Sequence, residues 1–263
     1  LAAGLALYLV LPPRPQPMDW TPVYRGIEMR CENFRTGRLM ALRVNLDEPT
    51  LELMMRPPDP GAVARGGHYF LAFAVLERWR HGLAVLMNTT MYEPHEKWRS
   101  YTGQTVRAVD TIVVNGAATH IHPHSYLLWL ARDRTPHMET EKPPPPASVR
   151  AAAWGIGLQG VQVGEGQPRY HAVDGHGVQE RRSFIGFNSK TRRLYLIAWE
   201  SAEPREMIDT AIRLGAEWGG QLDSGSASHL LLGGDVRGVR PFTGLHGGRP
   251  LGPYLGIRAA ALH

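Results

Sequence analysis

Apolar positions recur every second residue in many short runs and every third or fourth residue in two longer ones. Residues 39–55, LMALRVNLDEPTLELMM, predict two strands around a turn at Asp47, Glu48 and Pro49. Residues 69–80 place apolar side chains on a broad helical face and stop near Gly82. Residues 83–88 then read as a short buried strand ending in Asn88, and 109–114 as a strand running into Asn115-Gly116. That dipeptide favours a hairpin turn, because both residues tolerate positive φ. Further strands are predicted at 126–130, 151–163, 183–188, 193–199, 229–233 and 254–258. A helix over 203–215 puts Met207, Ile208, Ala211 and Ile212 on one side and ends at Gly215. Many strands with two main helices predict an α+β domain with a mixed, mostly antiparallel sheet core.

The chain opens on an unbroken apolar run, residues 1–11, followed by Pro12, Pro13, Pro15 and Pro17. A bilayer span takes about 20 apolar residues. The run therefore reads as the end of a truncated membrane anchor or signal segment, with 12–37 a proline-rich stalk and lead-in. A buried or disordered terminal segment is the alternative. One domain is expected over 38–263, with the Glu-Lys-Pro-Pro-Pro-Pro run at 141–146 a surface excursion within it.

Composition narrows the class. Apolar residues make up 43% and charged residues 20% of 263, which is ordinary globular composition and excludes a disordered chain. The single cysteine, Cys31, excludes intrachain disulfides and cysteine-rich zinc modules. The net charge of +5 is scattered, with Arg181-Arg182 and Arg192-Arg193 the densest pairs. There is no basic stripe interleaved with aromatics, so nucleic acid is not an expected partner. Mild attraction to anionic substrates or an anionic membrane surface is the consistent inference.

Chemistry concentrates at residues 222–228, Leu-Asp-Ser-Gly-Ser-Ala-Ser. Small residues let a ligand approach the backbone closely. A carboxylate at the end of an apolar run costs free energy unless it has a partner or a role. The stretch reads as the floor of a site, with a plain tight turn as the structural alternative. His120, His122 and His124 alternate, which on a strand would set three imidazoles on one side. Pro123 disturbs that ladder and no carboxylate motif accompanies it, so an exposed loop or a partly buried polar strand is favoured and no metal is expected.

Four pieces, in order, resemble the phosphodiester glycosidase family. They are VLMNTTMYEP (85–94), ERRSFIGFNSKTRRLYLIAWE (180–200), LGAEWGGQLDSGSASHLLLGG (214–234) and GGRPLGPYLGIRA (247–259). The chain is identified as a divergent, bacterial-type member, with the resemblance covering roughly residues 38–258. Thr89 and Thr90 stand where the family has Gly-Gly, and Ser224, Ser226 and Ala227 interrupt its glycine-rich run.

The resemblance implies cleavage at the anomeric carbon of a sugar phosphodiester, with no cofactor. A carbohydrate or sugar phosphate is the implied partner. Asp223 is the leading catalytic carboxylate, as nucleophile, base or electrostatic stabiliser. Arg182 matches the family arginine, and its planar fork suits phosphate. Asn88 would orient substrate hydroxyls or phosphate. Ser224, Gly225, Ser226 and Ser228 would present hydroxyls and backbone N–H groups to it. Glu93 is the leading second carboxylate and Glu200 a weaker one. Each has a bland counterpart: a turn carboxylate, a solvated arginine, a strand-end asparagine, a surface glutamate. Tyr92, Trp98 and Trp154 are sugar-stacking or core residues. Two functions follow: a glycosidase of the cell envelope, or a non-catalytic glycan-binding protein assisting exopolysaccharide assembly or export. A periplasmic or extracellular location is the matching expectation.

Overall fold

The computed structural model describes residues 19–56, 68–70, 74–90, 92–93, 105–172, 178–233 and 252–262. For residues 68–70, 93, 105 and 172 it describes the backbone alone. The apolar run at 1–11, Trp98 and all of the last motif's GGRPL lie outside the described residues.

In chain order the first elements are β1 (Thr21–Tyr24), β2 (Ile27–Phe34), β3 (Gly37–Asn45), β4 (Glu52–Met55), β5 (His68–Phe70) and α1 (Ala74–Arg80). Next come β6 (Val85–Asn88), β7 (Tyr92–Glu93), β8 (Thr105–Ala108), β9 (Ile112–Val114), β10 (Ala117–Ala118), β11 (Tyr126–Ala131) and β12 (Pro136–Glu139). Helix α2 (Pro146–Ala151) precedes β13 (Ala152–Leu158), β14 (Val163–Gly164), β15 (Gln167–Pro168), β16 (Glu180–Asn188) and β17 (Arg193–Ala202). Helix α3 (Pro204–Leu214), β18 (Trp218–Gln221), β19 (Leu230–Leu232) and β20 (Tyr254–Arg258) complete the set.

These strands form an eight-stranded sheet, β1-β2-β3-β17-β16-β18-β14-β15, and three smaller ones, β10-β9-β13-β11-β12, β19-β6-β20-β4 and β5-β8-β7. Every described pairing is antiparallel. The domain is α+β, as the pattern predicts.

The large sheet is buried on both faces, and alternation along its central strands explains how. Leu194, Leu196 and Ala198 of β17, with Ile185 and Phe187 of β16, face the main core shared with the smaller sheets. Tyr195, Ile197 and Trp199, with Phe184, face the other way and meet Met207, Ile208, Ala211 and Leu214 of α3. Each such side chain, fully buried, contributes about 1.5–3 kcal/mol. Helix α3 begins at Pro204, where Glu206 accepts the Glu203 backbone N–H at 2.8 Å, and stops at Gly215 with φ 111°.

Several expectations are corrected. Residues 39–55 do contain two strands around a turn, but they lie in different sheets: β2 and β17 fill both edges of β3, and β4 pairs with β20. The helix over 69–80 shortens to Ala74–Arg80, and His68–Phe70 joins β8 as a strand instead. Its apolar face is not turned inward, for Val75, Leu76 and Trp79 are exposed. Ahead of the domain start expected at 38, β2 pairs with β3 along its whole length, so the sheet takes in residues 21–34. The Asn115-Gly116 turn has φ 50° and 81° and joins β9 to β10, as expected. Cys31 is buried in the main core, and burial pushes its thiol up to about 11 against the pull of Arg38. Among the described residues, no helix is long and apolar enough to cross a membrane.

Candidate functional site

The site forms where β6 of the four-stranded sheet and β16 of the eight-stranded sheet both bond one loop. Strand β18 delivers that loop. Its Trp-Gly-Gly-Gln sequence lies tight against β16; a Cβ on Gly219 would sit 2.5 Å from the Ile185 carbonyl. At its end the Leu222 N–H reaches Ser183 O at 2.9 Å, and the Asp223 N–H reaches Thr89 O at 3.0 Å.

The Asp223 carbonyl then accepts three side-chain donors: Asn88 Nδ2 at 3.1 Å, Ser183 Oγ at 2.8 Å and Ser228 Oγ at 3.1 Å. Asn88 uses its other end as well, Oδ1 accepting the His229 N–H at 2.9 Å. It is 2% exposed, and its visible work is to clamp two points of the loop together. Beyond Asp223, a 3-10 turn at Gly225–Ala227 requires φ of +64° at Gly225, a conformation that suits glycine. Asp223, Ser224 and Gly225 are half-buried, Ser226 is exposed and Ser228 is buried.

Arg182 is 4% exposed and its guanidinium is engaged throughout. Nε donates to Ala202 O at 2.8 Å, Nη1 to Gln221 Oε1 at 3.1 Å and Nη2 to Val178 O at 2.9 Å. Nη1 also lies 3.2 Å from Glu180 Oε1. Burial pulls Arg182 below its ordinary value, opposed by Glu180 and Glu203.

The same Glu180 oxygen accepts Ser224 Oγ at 2.9 Å, while the Ser224 N–H donates to Asp223 Oδ1 at 2.9 Å. One serine therefore bridges two carboxylates from different elements. Glu180 is a carboxylate the sequence reading missed. Its signal is the period of two along β16, which places it beside Arg182 on one face.

No protein-family model matches the chain, and no curated protein matches it in sequence. Solved structures do match. The zebrafish N-acetylglucosamine-1-phosphodiester alpha-N-acetylglucosaminidase catalytic domain, auto-inhibited by pro-peptide, aligns over 94% of this chain and 87% of its own, with TM-score 0.63 and 13% identity. The fold is phosphodiester glycosidase-like. A putative exported protein from Burkholderia pseudomallei shares that likeness over 84% of this chain and 74% of its own (TM-score 0.61, 11% identity). A hypothetical protein from Synechocystis does so over 92% and 64% (TM-score 0.55, 15% identity).

Within this glycosidase-like fold, the remaining candidates fall in different places. The Glu93 backbone pairs with Arg107 in the three-stranded sheet; its side chain lies outside the described residues. Glu200 is exposed and holds Arg38 near the start of β3. Tyr92 and Trp154 are core residues. Thr89 Oγ1 donates to Pro253 O at 3.0 Å, and Thr90 Oγ1 to the buried Asp110 at 2.5 Å, so both threonines act as struts. Histidines 120, 122 and 124 lie in a loop rather than on a strand, and His122 meets His124 edge-on at 5.8 Å. Among the described residues, no group of three or more metal-binding side chains is arranged to hold a metal ion.

His229 was also missed, although it directly follows Ser228. It is buried, and its Nδ1–H donates to Ala227 O at 3.0 Å. Burial, reinforced by the charge of Arg181, holds it below its usual 6.5 despite that hydrogen bond. The imidazole is therefore neutral at pH 7. Stability follows with a definite sign. The unfolded chain takes up a proton near 6.5 and the folded chain at lower pH, so stability is full above 6.5 and is lost as pH falls beneath it. Urea unfolding at pH 7.5, 6.5 and 5.5 is expected to show wild type losing more stability on acidification than His229→Gln. Parallel losses in the two proteins would contradict a depressed His229.

Proposed function

We propose that the protein is a hydrolase of sugar 1-phosphodiesters, or of a closely related envelope glycan, with Asp223 as its reactive carboxylate. The carrying observation is the convergence on one aspartate: Asn88, Ser183 and Ser228 all bond its carbonyl. Together these contacts fix its backbone, so its carboxylate points from a preorganised frame. The glycosidase-like fold supports the same reading.

In the reaction, the bond between the anomeric carbon and the phosphate oxygen breaks. Its electron pair leaves with a phosphomonoester, the oxygen of water bonds the carbon, and a water proton passes to a carboxylate. Asp223 stabilises the positive charge on the ring or attacks it directly. Ser224, Gly225 and Ser226 line the approach. Asn88, Arg182 and Ser228 act as positioning residues, Arg182 by holding Glu180 in place. Glu93 and Glu180 are the two candidates for the second carboxylate. No cofactor and no nucleic acid enter this scheme. The likeness to a putative exported protein supports an exported location.

A second reading has its own support. Thr89 and Thr90 brace the fold where the family carries Gly-Gly, which favours a glycan-binding accessory protein without turnover. Release of the chromophore from aryl sugar 1-phosphodiesters by purified protein separates the two. Turnover supports the hydrolase; glycan binding by well-folded protein without turnover supports the accessory protein.

A further inference from the structure

Arg181 and Arg182 are adjacent and chemically identical, but β16 sends them to opposite faces. Arg182 shares its face with Phe184, which packs against the α3 side of the sheet. Arg181 shares the other face with Ser183, whose hydroxyl bonds the Asp223 carbonyl. The Arg181 carbonyl itself accepts Ser228 Oγ at 3.3 Å, tying this residue to the Asp223 loop.

Their side chains differ just as sharply. The Arg182 guanidinium is engaged by Ala202 O, Gln221, Val178 O and Glu180. Arg181 is half-buried, and among the described residues none accepts a hydrogen bond from its guanidinium or pairs with its charge. A half-buried cation left without a counter-charge loses solvation that an incoming anion restores. Its field reaches His229, whose backbone N–H bonds Asn88, so the charge acts where the two sheets meet at the loop. Neutral His229 does not add a second cation there.

We propose that Arg181, rather than the family-matching Arg182, is the anion-binding residue of this site, gripping the phosphate of a sugar 1-phosphate group next to Asp223. This rests on the sugar-phosphodiester reading above. A guanidinium donates two parallel hydrogen bonds to phosphate, which fixes the orientation of the group as well as attracting it. Arg181 thereby selects phosphodiesters over neutral glycosides.

The test is calorimetric titration of the full chain with glucose 1-phosphate and, separately, with methyl glucoside. Wild type, Arg181→Gln, Arg181→Lys and a distant control, Arg213→Gln, are compared at equal folded fraction. The expected result is a dissociation constant for glucose 1-phosphate raised roughly 10- to 100-fold in Arg181→Gln. Lysine restores part of the affinity, and the control and methyl glucoside are unaffected. Unchanged glucose 1-phosphate affinity in Arg181→Gln overturns the assignment, and so does wild type that fails to bind the probe. Phosphodiester turnover by wild type, measured separately, keeps the hydrolase reading standing if Arg181 falls. Arg181-dependent binding without any turnover keeps Arg181 and removes the hydrolase.

Discussion

Asn88→Asp destabilises the protein by about 2–5 kcal/mol and disorganises the Asp223 loop. Asparagine at 88 donates to the Asp223 carbonyl and accepts from the His229 N–H while 2% exposed. Aspartate has the same shape but no N–H donor. It places a charge against a carbonyl oxygen, in a spot with little water. A buried group stripped of its partner costs about 1–3 kcal/mol, and an uncompensated charge costs more. Asn88→Ala loses both hydrogen bonds without adding charge and falls short of this loss. Urea unfolding with fluorescence detection checks the order: wild type, then alanine, then aspartate. A midpoint for Asn88→Asp within error of wild type would mean that the loop is held by other contacts.

Much of this fold is legible in the sequence because its strongest elements obey simple periods. Strand β17 is a continuous apolar run because both of its faces are buried. Helix α3 shows its stripe at Met207, Ile208 and Ala211, with Gly215 to end it. Strand β18 is illegible by the same rules. Trp-Gly-Gly-Gln has no alternation and poor strand propensity, and it is extended because the β16 backbone approaches too closely for any Cβ at Gly219. Strand β2 is a different case. Ile27, Met29 and Cys31 alternate with Glu28, Arg30 and Glu32, a good strand signal that grouping with the proline-rich lead-in conceals.

The site was legible as residue types and not as roles. Asn88 and Ser228 bond the Asp223 carbonyl, Arg182 touches the Glu180 carboxylate that accepts Ser224 Oγ, and all four residues bond the protein itself. Whether a donor is engaged or open depends on partners distant in sequence: Asn88 lies 135 residues from Asp223, and Arg182 lies 39 from Gln221. No local pattern records that. The choice between Arg181 and Arg182 turns on which face of β16 each occupies, which needs the sheet's neighbours to be known.

The proposed function stands or falls with Asp223 as the reactive carboxylate. Asp223→Asn leaves the backbone anchors untouched, and its amide oxygen can still accept the Ser224 N–H. Its urea midpoint is measured beside wild type, so that rates are compared at equal folded fraction. What disappears is the negative charge that the proposed reaction uses, and losing such a preorganised group costs roughly 10²–10⁴ in rate, about 3–5 kcal/mol. The decisive measurement is kcat/KM for a panel of chromogenic sugar 1-phosphodiesters, wild type beside Asp223→Asn. Turnover by wild type that falls by at least two orders of magnitude in the folded variant is the predicted result. Full turnover by Asp223→Asn, or none by well-folded wild type across the panel, would contradict it.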